Sequence, residues 1–306
     1  MKSKIRFRHR IEYGAFRGVQ ALISSIPISW TGAFLSGLLH VVFRVCWPLK
    51  RETISRIREV FGEETSIATC RRIARISVWN MVMNFIELFH ASKMDQDYLR
   101  AHLEGFEEIE KVLRQLIAKH GGVVIALPHM GNWDLAAVTC SAFNIPLMVM
   151  ARAQNNPLFE GWLRRNRLNV QTIERRHPSS FVRIAHHLKG GGIFAILPDV
   201  RHNKPGVSTT VFGKPEVQLG KGLAKFARMA NVPILPIAMV RKDASHHKVF
   251  LCDPIYPDLD AETADDAVRI TQAVWDLFEK RIREMPEQWF WHNRRWILTP
   301  LYTKTR

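Results

Sequence analysis

The sequence predicts an α/β protein. A central sheet, mostly parallel or mixed, has helices on both faces and follows a helical, membrane-associated N-terminal segment. Two observations carry this. From residue 123 onward, short continuous apolar runs alternate with stretches of helical periodicity. Strands without polar alternation are buried on both faces, and helices are what cover them. The N-terminal part differs: residues 1–10, MKSKIRFRHR, are strongly basic, whereas residues 18–43 contain no Asp, Glu, Lys or Arg.

That apolar stretch is long enough for a transmembrane helix, which needs roughly 20 apolar residues. Ser24, Ser25, Pro27, Ser29 and Gly32 dilute it, and both flanks are basic, Lys2 to Arg17 before it and Arg44, Lys50 and Arg51 after it. The positive-inside tendency holds both ends in the cytosol, which suits a segment lying in or dipping into the inner leaflet. The alternative is a hydrophobic helical hairpin packed on its own domain. A cleaved signal peptide fits poorly, because the apolar part is too long and no small-residue cleavage site follows. The chain therefore divides into an anchoring segment, 1–50, and a catalytic domain, 51–306.

Residues 51–93 read as helical with a break at Gly62, and 76–90 are apolar on nearly every side. Residues 106–119 form an amphipathic helix stopped by Gly121 and Gly122. Strand 123–127, helix 132–143, strand 146–150, helices 157–168 and 178–189 and strand 192–197 follow. A helix near 219–230, strands 233–240 and 247–252, and a helix over 263–284 complete the pattern. In the last helix Ile270, Val274, Leu277 and Phe278 keep helical spacing, and Pro286 follows its end.

With 306 residues, 47% of them hydrophobic, the chain supports one sizeable core. The net charge of +16 favours anionic partners: nucleic acid, lipid headgroups or an acidic protein. A nucleic-acid binder would carry ranked basic residues, a helix-turn-helix or a zinc module, and none is visible. A hydrolase on such a sheet would want G-x-S-x-G, which does not occur. Cys46, Cys70, Cys140 and Cys252 lie far apart without a C-x-x-C pair and read as free thiols in a reducing compartment. His186-His187 and His246-His247 lack an acidic partner at ligand spacing, so no metal site is expected.

The stretch GGVVIALPHMGNWDLAAV, residues 121–138, is the most informative. A buried strand empties through Pro128 into His129, with Asp134 five positions on. Reactive groups in open α/β sheets collect at the carboxyl ends of strands. On one continuous helix five residues turn through roughly 500°, so the two side chains would face apart. With His129 in the turn and Asp134 in the first helical turn, the carboxylate can fold back onto the imidazole, and Asn132 can cap the helix. A carboxylate on one ring nitrogen frees the other as a base. No Ser or Cys stands beside His129 as a nucleophile, so the base would deprotonate a hydroxyl brought by a substrate. A structural His–Asp pair at a helix start is the alternative.

HMGNWDLA resembles the His-x4-Asp motif of the glycerophospholipid acyltransferase superfamily. The chain is most similar there to the late lipid A acyltransferases, the lauroyl and myristoyl transferases, together with relatives that acylate mannosyl lipids. WPLKRETISRIREVFG, MVMARAQNNPLFEGWLRRNR (148–167), GGGIFAILPDVRHNKPGVSTTVFGKP (190–215), VPILPIAMVR and PEQWFWHNRRW (286–296) resemble family blocks in the right order. Asp199-Val200-Arg201-His202 stands where many lipid A enzymes carry an Asp-Gln-Asp-Tyr-like run, and the usual Asn-Leu pair near residue 54 is missing, which leaves the acceptor open.

The resemblance implies acyl transfer from a thioester of acyl carrier protein or coenzyme A to a hydroxyl of a membrane lipid, a lipid A precursor or another glycolipid or phospholipid. His129 would take the proton and Asp134 orient it, without a cofactor, metal or acyl-enzyme. It places the protein on the cytoplasmic face of the bacterial inner membrane. Acyl carrier protein is acidic and the inner leaflet anionic, so the positive charge suits both. Arg152 and Arg165 would hold phosphates of acceptor or donor as bidentate pairs, or are ordinary surface arginines. Asp199, again at a strand end, would hold sugar hydroxyls or orient a basic residue, or simply form a turn after Pro198. Phe212 and Gly213 would shape the acyl pocket, or form a β-turn. Lys221, between Gly220 and Gly222 at a helix start, could attract an anion. Arg294 and Arg295 sit among Trp289, Trp291 and Trp296, a mixture suited to a headgroup zone or to plain packing.

Overall fold

The computed structural model describes residues 5–28, 30–32, 47–151, 154–166, 170–174, 179–202 and 204–299. Among the described residues the leading region includes α1 (Phe7–Ser24), α2 (Trp47–Phe61) and α3 (Ile67–His90). Gly62, at φ +92, ends α2 where the sequence places a break. Then follow α4 (Gln96–His102), β1 (Leu103–Glu104), α5 (Phe106–His120), β2 (Val123–Ala126), α6 (Trp133–Ala142) and β3 (Leu147–Ala151). Next are α7 (Pro157–Asn166), β4 (Gln171–Glu174), α8 (Ser180–Lys189) and β5 (Ile193–Ile196). A hairpin, β6 (Val207–Val211) and β7 (Lys214–Leu219), precedes α9 (Gly222–Ala230), β8 (Ile234–Arg241), β9 (His247–Leu251) and α10 (Thr263–Glu284).

Among the described residues seven strands make one sheet in the order β1-β9-β8-β2-β5-β3-β4. Every neighbouring pair is parallel except β8 with β9. The mixed, mostly parallel sheet expected from the apolar runs is therefore present. β2 sits at its centre with all four residues buried, registering Val123 with Ile193 on one side and Val124 with Ile234 on the other. One apolar cluster joins α5, α6 and α7 to one face of the sheet, and α1 packs against it through Tyr13, Phe16 and Ile23. The second cluster joins α8, α9, α10, the β6–β7 hairpin and the C-terminal tryptophans to the other face.

This division has a topological cause. The chain leaves β2 through α6 toward β3, on one face, and leaves β5 through α9 toward β8, on the other. β2 and β5 are nearest neighbours, so the crevice between their carboxyl ends is the point where the strand order reverses.

The N-terminal segment starts its helix inside the basic stretch. Phe16 packs edge-on against Phe89, Phe159 and Trp162, at 5.4, 4.8 and 4.8 Å between ring centres. Phe7, Ile11, Val19 and Leu22 point the other way and are exposed. Among the described residues no helix is long and apolar enough to cross a membrane. Residues 29 and 33–43 of the apolar stretch lie outside the described residues, as does Cys46.

Candidate active site

β2 delivers Leu127, Pro128 and then His129. The next residues turn sharply: Gly131 has φ +54, and a Cβ there would collide with the Met239 carbonyl of β8. Only glycine combines that backbone with that approach. Asn132 then caps α6, accepting from the Leu135 N–H at 3.1 Å, as its position before the helix predicts.

β5 delivers Asp199. Leu127 donates to the Ile196 carbonyl at 3.1 Å, extending the parallel pairing, so the residues just beyond emerge side by side. Asp199 accepts from the His129 backbone N–H at 2.7 Å and holds His129 Nδ1 at 2.7 Å. Its Oδ2 also accepts from Trp289 Nε1 at 2.8 Å. Burial of this carboxyl would raise its pKa, but the His129 charge, the His129 ring contact, the Trp289 N–H and the His129 backbone N–H outweigh it and hold the pKa below the ordinary value. An ionised Asp199 accepts only, so His129 carries its proton on Nδ1 and leaves Nε2 for a substrate.

This corrects one expectation. The carboxylate on Nδ1 is Asp199, where the sequence suggested Asp134. Adjacency of β2 and β5 puts Asp199 against the ring, and Asp134 instead stands in the first turn of α6, on the wall of the cavity that His129 also lines.

That cavity, about 240 Å³, runs between α6 and the sheet. His129, Trp133 and Asp134 contribute to it, and the rest of its wall is apolar or small, including Ile125, Leu127, Cys140, Val149, Ala195 and Leu197. The His129 ring meets Trp133 edge-on at 5.1 Å. A linear apolar group fits such a space with its reactive end at the imidazole.

Behind the turn stands a polar row that sequence reading missed. Ser77, Asn80, Asn84 and Glu87 lie at successive steps of three, four and three on α3, all buried. Ser77 donates to the Trp289 carbonyl and Asn80 Nδ2 donates to that of Glu287, at 2.5 and 2.9 Å. Asn84 Nδ2 donates to the Gly131 carbonyl at 2.7 Å, and Asn132 Nδ2 donates to Glu87 at 2.6 Å. Arg241 grips Glu87 with both terminal nitrogens, at 2.5 and 2.8 Å, and Asn84 Oδ1 at 2.8 Å. Burial would raise the Glu87 pKa, yet His247 and Arg241 beside it hold it at about 2. Gln288 closes the frame: its carbonyl accepts from Gly131 at 2.9 Å, and its side chain bonds both backbone groups of Arg241. Polar residues at one helical spacing within an apolar helix were the available signal.

Of the other expected residues, those described lie apart from the cavity. Phe212, φ 51, and Gly213, φ 74, are the two-residue turn of the β6–β7 hairpin, which needs positive φ at both positions. Phe212 packs on Trp275 and Trp289, at 5.2 and 5.6 Å, so it backs the Asp199 partner and does not shape the pocket. Arg165 is exposed on α7, 3.3 Å from the Tyr13 hydroxyl of α1. Arg295 Nη2 donates to the Arg201 carbonyl at 2.7 Å, tying the C-terminal segment to the loop after Asp199, and Arg294 is exposed. Arg152 lies outside the described residues.

A family model described as bacterial lipid A biosynthesis acyltransferase matches residues 1–297. The chain is 26% identical to a phosphatidylinositol mannoside acyltransferase of Mycolicibacterium smegmatis, over 74% of this chain and 72% of that one. It is also 26% identical to a lipid A biosynthesis palmitoleoyltransferase of Escherichia coli, over 65% of this chain and 62% of that one.

Proposed function

The chain belongs to the bacterial lipid A biosynthesis acyltransferase family, and from that premise we propose which acyl transfer it performs. The donor is a fatty acyl thioester of acyl carrier protein or coenzyme A. The acceptor is a hydroxyl of a glycolipid in the cytoplasmic leaflet of the inner membrane, a lipid A precursor first. One observation supports this most: an imidazole whose Nδ1 is held by a buried carboxylate stands at an apolar cavity at the sheet's switch point.

The fatty chain lies in the cavity and brings its thioester carbonyl to His129. Nε2 takes the proton of the acceptor hydroxyl as its oxygen attacks the carbonyl carbon. The C–S bond breaks, and the thiolate leaves with the proton from the imidazolium. Asp199 holds the ring in the productive tautomer and stabilises its transient positive charge. Asp134, on the cavity wall, orients the reacting groups, and Arg152, Arg165, Arg294 and Arg295 meet phosphates of acceptor or donor.

The M. smegmatis relative favours a second acceptor class, a mannosyl phospholipid. Purified protein incubated with labelled acyl carrier thioesters and each acceptor in turn separates the two. His129→Ala should lower turnover by about 10²–10⁴-fold while circular dichroism stays unchanged. Turnover at the wild-type rate would overturn the mechanism.

A further inference from the structure

We infer that the outer faces of α8 and α9 form the docking surface for an acidic carrier protein that presents the acyl chain. This rests on the thioester reading above and adds where the donor sits.

Neither helix contains an Asp or Glu. On α9 and its N-cap, Lys221, Lys225 and Met229 recur every four residues as one exposed stripe. Alongside, α8 exposes Phe181, Val182 and Arg183, with Val182 at 70%. Lys225 Nζ lies 4.1 Å over the Phe181 ring, so the two helices make one continuous patch. Apolar side chains beside Arg183, Lys221 and Lys225, none of which has an ion pair among the described residues, fit a partner whose own surface is acidic.

The patch is placed for delivery. A Cβ at Gly222 would come 3.1 Å from Ile196 Cδ1, so α9 begins beside the end of β5, three residues before Asp199. α8 and α9 cover the face of the sheet opposite to α1, whose exposed Phe7, Ile11, Val19 and Leu22 suit a bilayer. The acyl chain would pass from this face around the carboxyl ends of β2 and β5 into the cavity under α6 on the other.

The test uses the full-length protein and two donors carrying the same dodecanoyl chain, one on acyl carrier protein and one on pantetheine alone. Lys221→Glu with Lys225→Glu should raise KM for the carrier-bound donor by about 10-fold or more and leave KM for the pantetheine thioester unchanged. Rising salt should weaken the wild type toward the variant. The control, Lys111→Glu with Lys119→Glu on α5, should change neither. Equal KM values for wild type and variant with the carrier-bound donor would overturn the docking surface and leave the acyl-transfer reading intact. So would a wild type that accepts only the pantetheine thioester. Loss of binding to anionic vesicles, with KM for both donors unchanged, would assign the patch to lipid instead. A wild type inert with every thioester and acceptor would sink the underlying reading itself.

Discussion

His129 is fixed twice by one side chain, through its backbone N–H and its ring. Asp199→Asn keeps the size but offers an amide, which can donate to Nδ1 and select the wrong tautomer. We expect kcat to fall by about 10²–10⁴-fold with little change in KM, measured with saturating acceptor. Asp199→Ala should in addition loosen Trp289, whose indole N–H would lose its acceptor, and lower stability by about 1–3 kcal/mol in urea unfolding. Cys140, on the cavity wall, shows how burial sets chemistry: desolvation pushes its thiol up to about 12, so it stays protonated and slow toward alkylating agents. Cys140→Phe would fill part of the cavity, and competition between thioesters of different length should then favour shorter chains. The placement of His129 past a strand end and of Asp134 in the first turn of α6 was legible because a strand ending, a turn and a helix start are local signals. The contact between His129 and Asp199 spans 70 residues, and only the neighbouring strands create it.

α3 does for the site what no loop residue can do alone. Its four buried polar side chains reach the turn at Gly131–Asn132 and the segment 287–289, and Arg241 of β8 neutralises Glu87 from the other side. Removing one partner leaves an uncompensated buried charge. Arg241→Met should therefore cost about 3–5 kcal/mol of stability, whereas Arg241→Lys with Glu87 retained should cost less. Glu87 has its folded pKa depressed from 4.5 to about 2, so its contribution is complete above 4.5 and is lost as pH falls toward 2. Unfolding free energy should fall across that window, and Glu87→Gln should flatten the slope. The sequence read residues 76–90 as apolar nearly all round, which is right by composition and overlooks the polar row, because that row matters only against the partners the fold supplies. The two-residue strand β1, the four-residue β4 and the hairpin β6–β7 escaped for a related reason. β1 is too short for a pattern, β4 (QTIE) has a single apolar residue where the equally short β2 and β5 are apolar throughout, and β6 alternates buried with exposed residues outside the main sheet.

Across the whole molecule, two surfaces of different character flank one crevice. The exposed stripe of α1, with Arg6, Arg8, Arg10 and Arg17 on the same segment, has the apolar and basic character we propose for contact with an anionic membrane. Replacing Phe7, Ile11 and Leu22 together by Ser should abolish cosedimentation with phosphatidylglycerol vesicles and leave turnover of a detergent-solubilised acceptor within about two-fold. Retained vesicle binding would show that lipid contact lies elsewhere. The charge of +16 pointed to anionic partners, but a sum carries no position. The fold distributes it, with basic, acid-free helices on one side and a basic amphipathic helix on the other.

Local residue order determined most of the helices and strands, the capping of α6 by Asn132, and the exit of a buried strand into His129. These depend on periodicity, turn chemistry and backbone stereochemistry within a dozen residues. Tertiary structure alone decided which carboxylate holds the imidazole, that Phe212 and Gly213 turn a hairpin away from the cavity, and that Glu87 and Arg241 brace the turn. The first depends on β5 lying beside β2, and the last on α3 packing against α6 and the Pro286–Gln288 turn; spatial adjacency of distant segments is set by the burial of whole faces.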